Sequence, residues 1–264
     1  MSNQLQLDRL LDAYRESPAS SLKVNTYFPI YTQLFAHLVG TDCTFVETGV
    51  FNGGSLFMWR SWLDPDANIV GLDLNPEAKK WEEHGFDIYI CDQGNPEELG
   101  QVLSQIGPFD ALLDDGGHQS FQQITTLRTA MQYAKETSII AIEDTHTSFM
   151  KEFARHGQHS FCEYAKDTTD LLTAKAHNLF PGHMPPIDNP SVLNEFQRIH
   201  SVEFFSNLIA FKLSPLAKQN HEHTMNKPPE NCAQDFRYHG RNSSEVNWPN
   251  PFLETKITLY GGGA

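Results

Sequence analysis

Apolar residues follow two rhythms along this chain. Over residues 4–16 and about 27–39 they recur three and four apart, which predicts two N-terminal helices. After Gly40, short apolar runs alternate with stretches of helical spacing. "TFVETGV" (44–50), "NIVGLDL" (68–74), "FDIYICD" (86–92), "FDALLDD" (109–115) and "SIIAIED" (138–144) read as five strands. Between them stand helical patterns: "SLFMWRSWL", a segment opened by Pro76 and ended by Gly85, "PEELGQVLSQI" and "FQQITTLRTAMQYA". "SVEFFSNLIAFKL" (201–213) reads as a closing hairpin around Ser206-Asn207.

Strands separated by helices imply βαβ units with right-handed crossovers. The expected fold is α/β: a doubly wound, mostly parallel, seven-stranded Rossmann-like sheet with helices on both faces. The N-terminal helices occupy 1–40 and the sheet domain 41–213, with a polar insert at 150–195 expected to face the substrate. Residues 214–264 read as an irregular, hydrophilic extension.

Composition narrows the partners. A formal net charge of −14 repels phosphate backbones, so nucleic acid is not expected, and it leaves carboxylates for a cation. No run approaches the ~20 apolar residues of a membrane span. The opening "MSNQLQLDRLLDAYRES" lacks the basic-then-apolar order of a signal peptide, so a cytoplasmic location is expected. Cys43, Cys91, Cys162 and Cys232 are far apart and form no CxxC, which disfavours a zinc knuckle or a disulfide framework.

In open parallel sheets, ligands sit outside the carboxyl ends of the strands. "ETGVFNGGS" follows the first strand, and its glycines allow a tight turn and a close approach to a ligand. Asp73 ends the second strand, where a carboxylate can hold ribose hydroxyls. The loop has a G-x-x-x-G spacing at Gly49 and Gly53 in place of GxGxxG, which disfavours a nicotinamide dehydrogenase. At the next strand ends stand Asp115 and Glu143-Asp144, acids suited to a hard cation such as Mg²⁺. His118 follows the Gly116-Gly117 pair, and an imidazole can accept a proton at neutral pH. Each acid alone could equally cap a helix; their convergence at one sheet edge favours a site.

"ETGVFNGGSLFMW", "IVGLDLNP", "LLDDGGH" and "AIEDTHTSF" resemble motifs of class I S-adenosylmethionine methyltransferases, specifically the metal-dependent sugar O-methyltransferases of antibiotic biosynthesis. The likeness covers about 27–150 and includes the 28 residues from Asp115 to Glu143. It implies Asp115, Glu143 and Asp144 as Mg²⁺ ligands and His118 as general base. It implies cofactor contacts from Glu47, Thr48, Gly49, Asn52, Gly53 and Ser55. Asp73 would hold the ribose, Asp92 and Gln93 would lie near the adenine, and Asp114 would be a structural or cofactor-side acid. His146 and Ser148 could touch the acceptor or merely cap a helix, and Tyr27 and Tyr31 fit packing better than cofactor contact. The expected partner is a small sugar-containing acceptor, and the expected assembly a homo-oligomer. An aromatic diol as acceptor, or a non-catalytic cofactor-binding subunit, remains an alternative reading of the same residues.

Overall fold

The computed structural model of the chain describes residues 2–153, 159–174 and 196–218. Most of the 150–195 insert and nearly all of the 214–264 extension lie outside the described residues. The strands are β1 (Thr44–Thr48), β2 (Asn68–Asp73), β3 (Asp87–Ile90), β4 (Ala111–Asp114), β5 (Ile139–Ile142), β6 (Ile199–Phe205) and β7 (Leu208–Leu213). The helices are α1 (Asn3–Arg15), α2 (Tyr27–Phe35), α3 (Gly54–Leu63), α4 (Pro96–Ile106), α5 (Ser120–Tyr133) and α6 (Phe161–Ala174). The strand order is β3-β2-β1-β4-β5-β7-β6, with β1 to β5 parallel and the β6–β7 hairpin antiparallel.

Alternate residues of each strand serve opposite faces. Phe45, Leu113 and Ala141 pack with α1, α2 and α3, whereas Val46, Leu112 and Ile140 pack with α4, α5 and α6. Both faces are covered, which is why the strands read as continuous apolar runs. Helix starts follow local chemistry: the Asn95 side chain accepts from the N–H groups of Glu97 and Glu98, and Pro96 fills the first position of α4.

Two segments depart from the sequence pattern. Pro76–His84 forms a 3₁₀ helix, not an α-helix. Its inward residues recur every three positions: Ala78 is buried, and the Trp81 and His84 rings pack on Phe57. Helix α6 lies where the pattern reads as blurred; Phe161, Ala165 and Thr168 are buried along one face of it, with Tyr164, Leu171 and Leu172 packed beside them.

The register of the sheet builds the site. Thr48 pairs with Asp114, and Asp114 with Ile142. The residues that leave the carboxyl edge together are therefore Gly49, Asp115 and Glu143. Connections from β1 and β4 run to opposite sides here, which opens the crevice in which this topology binds ligands.

Candidate active site

A cavity of about 630 Å³ opens at this edge. Thr48, Gly49, Asn52, Ser55, Asp73, Asp92 and Gln93 line one end; Asp115, His118 and Asp144 line the other. Glu47, Gly53, Asp114 and Glu143 do not belong to the lining and stand behind it.

The glycine turn is held by its neighbours. Gly49 has φ +90°, and a Cβ there would collide with the Asp115 carbonyl, so the turn brings β1 and β4 into contact. Asp73 Oδ2 accepts from the N–H groups of Val50 (2.8 Å) and Phe51 (3.2 Å), and Oδ1 accepts from Asn75 (2.8 Å). Its carboxylate thus fastens the turn while bordering the cavity. Gly53, also left-handed at φ +77°, packs its backbone against the Trp81 ring. Ser55 Oγ donates to Glu47 at 2.6 Å, and Asn52 Nδ2 donates to Ser20 Oγ at 3.2 Å. Asp114 is turned inward: Gln93 Nε2 donates to both its oxygens at 3.0 Å, while Gln93 Oε1 accepts from Gly117 N at 2.7 Å. Burial raises the Asp114 carboxyl above the ordinary range, opposed by these hydrogen bonds.

At the other end, Asp115, His118 and Asp144 bring one ligand atom each to within 4.8 Å of one another. Each is about a quarter or less exposed in its side chain. His118 and Asp144 both have left-handed backbones, φ 57° and 52°. Such conformations are uncommon outside glycine and cluster where surrounding structure enforces them. Thr147 Oγ1 donates to the His118 carbonyl at 2.8 Å, which ties the two turns together. His118 Nε2 lies 3.5 Å from Asp144 Oδ2, and its Nδ1 is buried without a hydrogen-bond partner.

Glu143 does not join that group. Its carboxylate is buried against α2, where the Tyr31 hydroxyl donates to Oε1 and Lys23 Nζ lies 3.4 Å from Oε2. Burial pushes the Glu143 carboxyl well up, although Lys23 opposes the rise. Helix α2 also sends the Tyr27 hydroxyl to Asp144 Oδ1 at 2.6 Å. The hydroxyls of Tyr27 and Tyr31 are held un-ionised by burial first and by these carboxylates second. So the two tyrosines pack their rings and also steady both acids of the β5 end. Their i, i+4 spacing was visible in the sequence, and a buried phenol needs a partner; which partner was not. Tyr27→Phe is expected to lower stability by about 1.5–3 kcal/mol, since the hydroxyl both donates to the Asp144 carboxylate and accepts from the Asp144 N–H. Urea denaturation against the unaltered chain measures it.

Lys23 gave no signal at all. It sits between α1 and α2, 1% exposed in its side chain, with Nζ 2.7 Å from Asp115 Oδ2 and 3.2 Å from Glu47 Oε1. Burial alone would lower its pKa, but Glu143, Tyr31, Asp115 and Glu47 outweigh burial and hold it well above the lysine norm.

Known proteins share this architecture. The methyltransferase MycE from the mycinamycin biosynthetic pathway, solved in complex with Mg and SAH, matches at TM-score 0.67 with 22% identity, over 79% of this chain and 54% of that one. The fold is that of class I S-adenosylmethionine-dependent methyltransferases. By sequence, the chain is 29% identical over 137 residues to the 8-demethyl-8-alpha-L-rhamnosyl tetracenomycin-C 2'-O-methyltransferase of Streptomyces olivaceus, covering 49% of this chain and 36% of that protein. It is 27% identical over 143 residues to the mycinamicin VI 2''-O-methyltransferase of Micromonospora griseorubida, covering 52% of this chain and 35% of that protein. The matches thus span about a third of the length of these curated relatives. No family model matches the chain. Among the described residues, no helix is long and apolar enough to cross a membrane.

Proposed function

We propose that the chain is a Mg²⁺- and S-adenosylmethionine-dependent O-methyltransferase whose acceptor is a sugar hydroxyl of a glycoside or natural product. One observation carries this reading: a single cavity is bordered both by the glycine turn with Asp73 and Asp92 and by Asp115, His118 and Asp144. Its volume suits a cofactor-sized ligand. Thr48 Oγ1, buried without a partner, gives that cavity an unused hydrogen-bonding group. The choice of a sugar hydroxyl is supported by the name of the tetracenomycin relative, an O-methyltransferase of a rhamnosyl compound.

Bound there, S-adenosylmethionine supplies a transferable methyl group and Mg²⁺ a positive charge that acidifies the acceptor hydroxyl. Asp115 and Asp144 would hold the ion through carboxylate oxygens, the donors a hard cation takes. Glu143 stands behind them on Tyr31 and Lys23. Asp73 takes the ribose hydroxyls, and Asp92 and Gln93 border the adenine end. His118 would hold the proton released from the acceptor hydroxyl when the methyl passes from the sulfonium sulfur to that oxygen and leaves S-adenosylhomocysteine, and Asp144 Oδ2, 3.5 Å from Nε2, would steady the resulting imidazolium. The turns carrying these groups would set the acceptor oxygen against the methyl, and such positioning lowers the barrier to transfer.

Turnover with a rhamnoside acceptor is expected to vanish in EDTA and return with added Mg²⁺. Full activity in EDTA would sink the metal half of the reading. A panel of glycosides and catechols, followed by mass spectrometry, tests the acceptor class: methylation of catechols with no glycoside product overturns the sugar assignment.

A further inference from the structure

Lys23 places one ammonium among three carboxylates from three different strand ends: Glu47 of β1, Asp115 after β4 and Glu143 after β5. Its side chain is 1% exposed, and it arrives from the segment between α1 and α2, whose Ser21 and Leu22 also border the cavity. The segment is itself anchored: Ser17 Oγ donates to the Gly54 carbonyl at 2.9 Å, and the Tyr14 hydroxyl donates to the Ser21 carbonyl at 3.1 Å. We propose that Lys23 is a positioning residue for the cation site, holding Asp115 in the rotamer that faces His118 and Asp144. The inference rests on the reading of Asp115 and Asp144 as ion ligands.

The physical case has two parts. Nζ grips Asp115 Oδ2 at 2.7 Å, and holding one oxygen of a carboxylate fixes where the other points. Partners that orient a metal ligand in this way typically account for about 10- to 100-fold in metal affinity. Against this, a positive charge beside a cation site repels the ion. Here that repulsion is weakened, because Glu47 and Glu143 share the same ammonium at 3.2 Å and 3.4 Å. Orientation therefore outweighs repulsion, and the two effects predict opposite signs for the loss of Lys23. The ammonium also joins the cofactor half of the site, through Glu47 and its partner Ser55, to the metal half.

Mn²⁺ binding to the full chain, followed by electron paramagnetic resonance, reads the sign directly and needs no turnover. Lys23→Met is expected to weaken Mn²⁺ binding about 10- to 100-fold. Two buried carboxylates and the partly exposed Asp115 without their counter-charge threaten folding, so the same measurement is made on Lys23→Met combined with Glu47→Gln, read against Glu47→Gln alone. That pair keeps the local charge balance, and the same weakening is expected. Each titration is run well below the melting temperature of its variant, so a lower affinity is not a loss of fold. Unchanged or tighter Mn²⁺ binding in the variants overturns the positioning role. Failure of the unaltered chain to bind Mn²⁺, or binding that Asp144→Asn leaves untouched, overturns the ion reading itself and takes this inference with it.

Discussion

His118→Ala is expected to slow methyl transfer by about 10²- to 10⁴-fold, the usual contribution of a general base. Affinity for S-adenosylhomocysteine should stay within a few-fold, because the residues proposed to hold it stand at the other strand ends. The backbone complicates the choice of variant. His118 has φ 57°, a left-handed conformation that alanine tolerates less well than histidine or asparagine. His118→Asn keeps the backbone preference and removes a group able to take a proton at neutral pH, so it should lose as much turnover as alanine. Steady-state kinetics give the turnover, and calorimetry with S-adenosylhomocysteine gives the affinity. A turnover within threefold of the unaltered chain in either variant would remove His118 from the proposed mechanism.

Gly49→Ala is expected to be the most damaging single substitution in the cofactor turn. Two costs add. The first is conformational: φ +90° strains any residue with a Cβ, at about 1–3 kcal/mol. The second is a collision, since the new methyl would run into the Asp115 carbonyl and the Gly116 Cα. Relief requires the ends of β1 and β4 to part, which also displaces the turn from the cavity. Gly107 separates the two costs, because it has φ +82° with no atom within 4 Å of an added Cβ. Gly107→Ala should show the strain alone in urea denaturation, while Gly49→Ala shows the strain and the collision together and loses S-adenosylhomocysteine binding. Equal midpoints for the two variants would mean that the contact between turn and strand end carries no energy.

Much of the architecture can be read from residue order. The five parallel strands and the closing hairpin follow from apolar runs and turn residues, because a sheet covered on both faces demands continuous apolar strands. The G-x-x-x-G loop, Asp73, Asp92, Asp115 and Asp144 fall at strand ends, and a parallel sheet gathers all its carboxyl ends on one edge. That topological rule places them in one cavity without any knowledge of packing. In α6 the buried positions Phe161, Ala165 and Thr168 do recur at helical spacing, but they stand in a polar stretch that masks them.

The division of labour among the acids needed the packed chain. Sequence spacing treats Glu143 and Asp144 alike, yet Asp144 faces the cavity and Glu143 is buried on Tyr31 and Lys23. Asp114 and Asp115 are adjacent as well, and Gln93 draws the first inward while the second borders the cavity. Lys23 meets Asp115 and Glu143 across 92 and 120 residues of chain. Residue order sets which groups reach the sheet edge, since periodicity and turn chemistry act over a few neighbours. Which way each carboxylate turns there is set by groups that arrive from distant segments, and only a buried charge's need for a partner, satisfied in three dimensions, selects them.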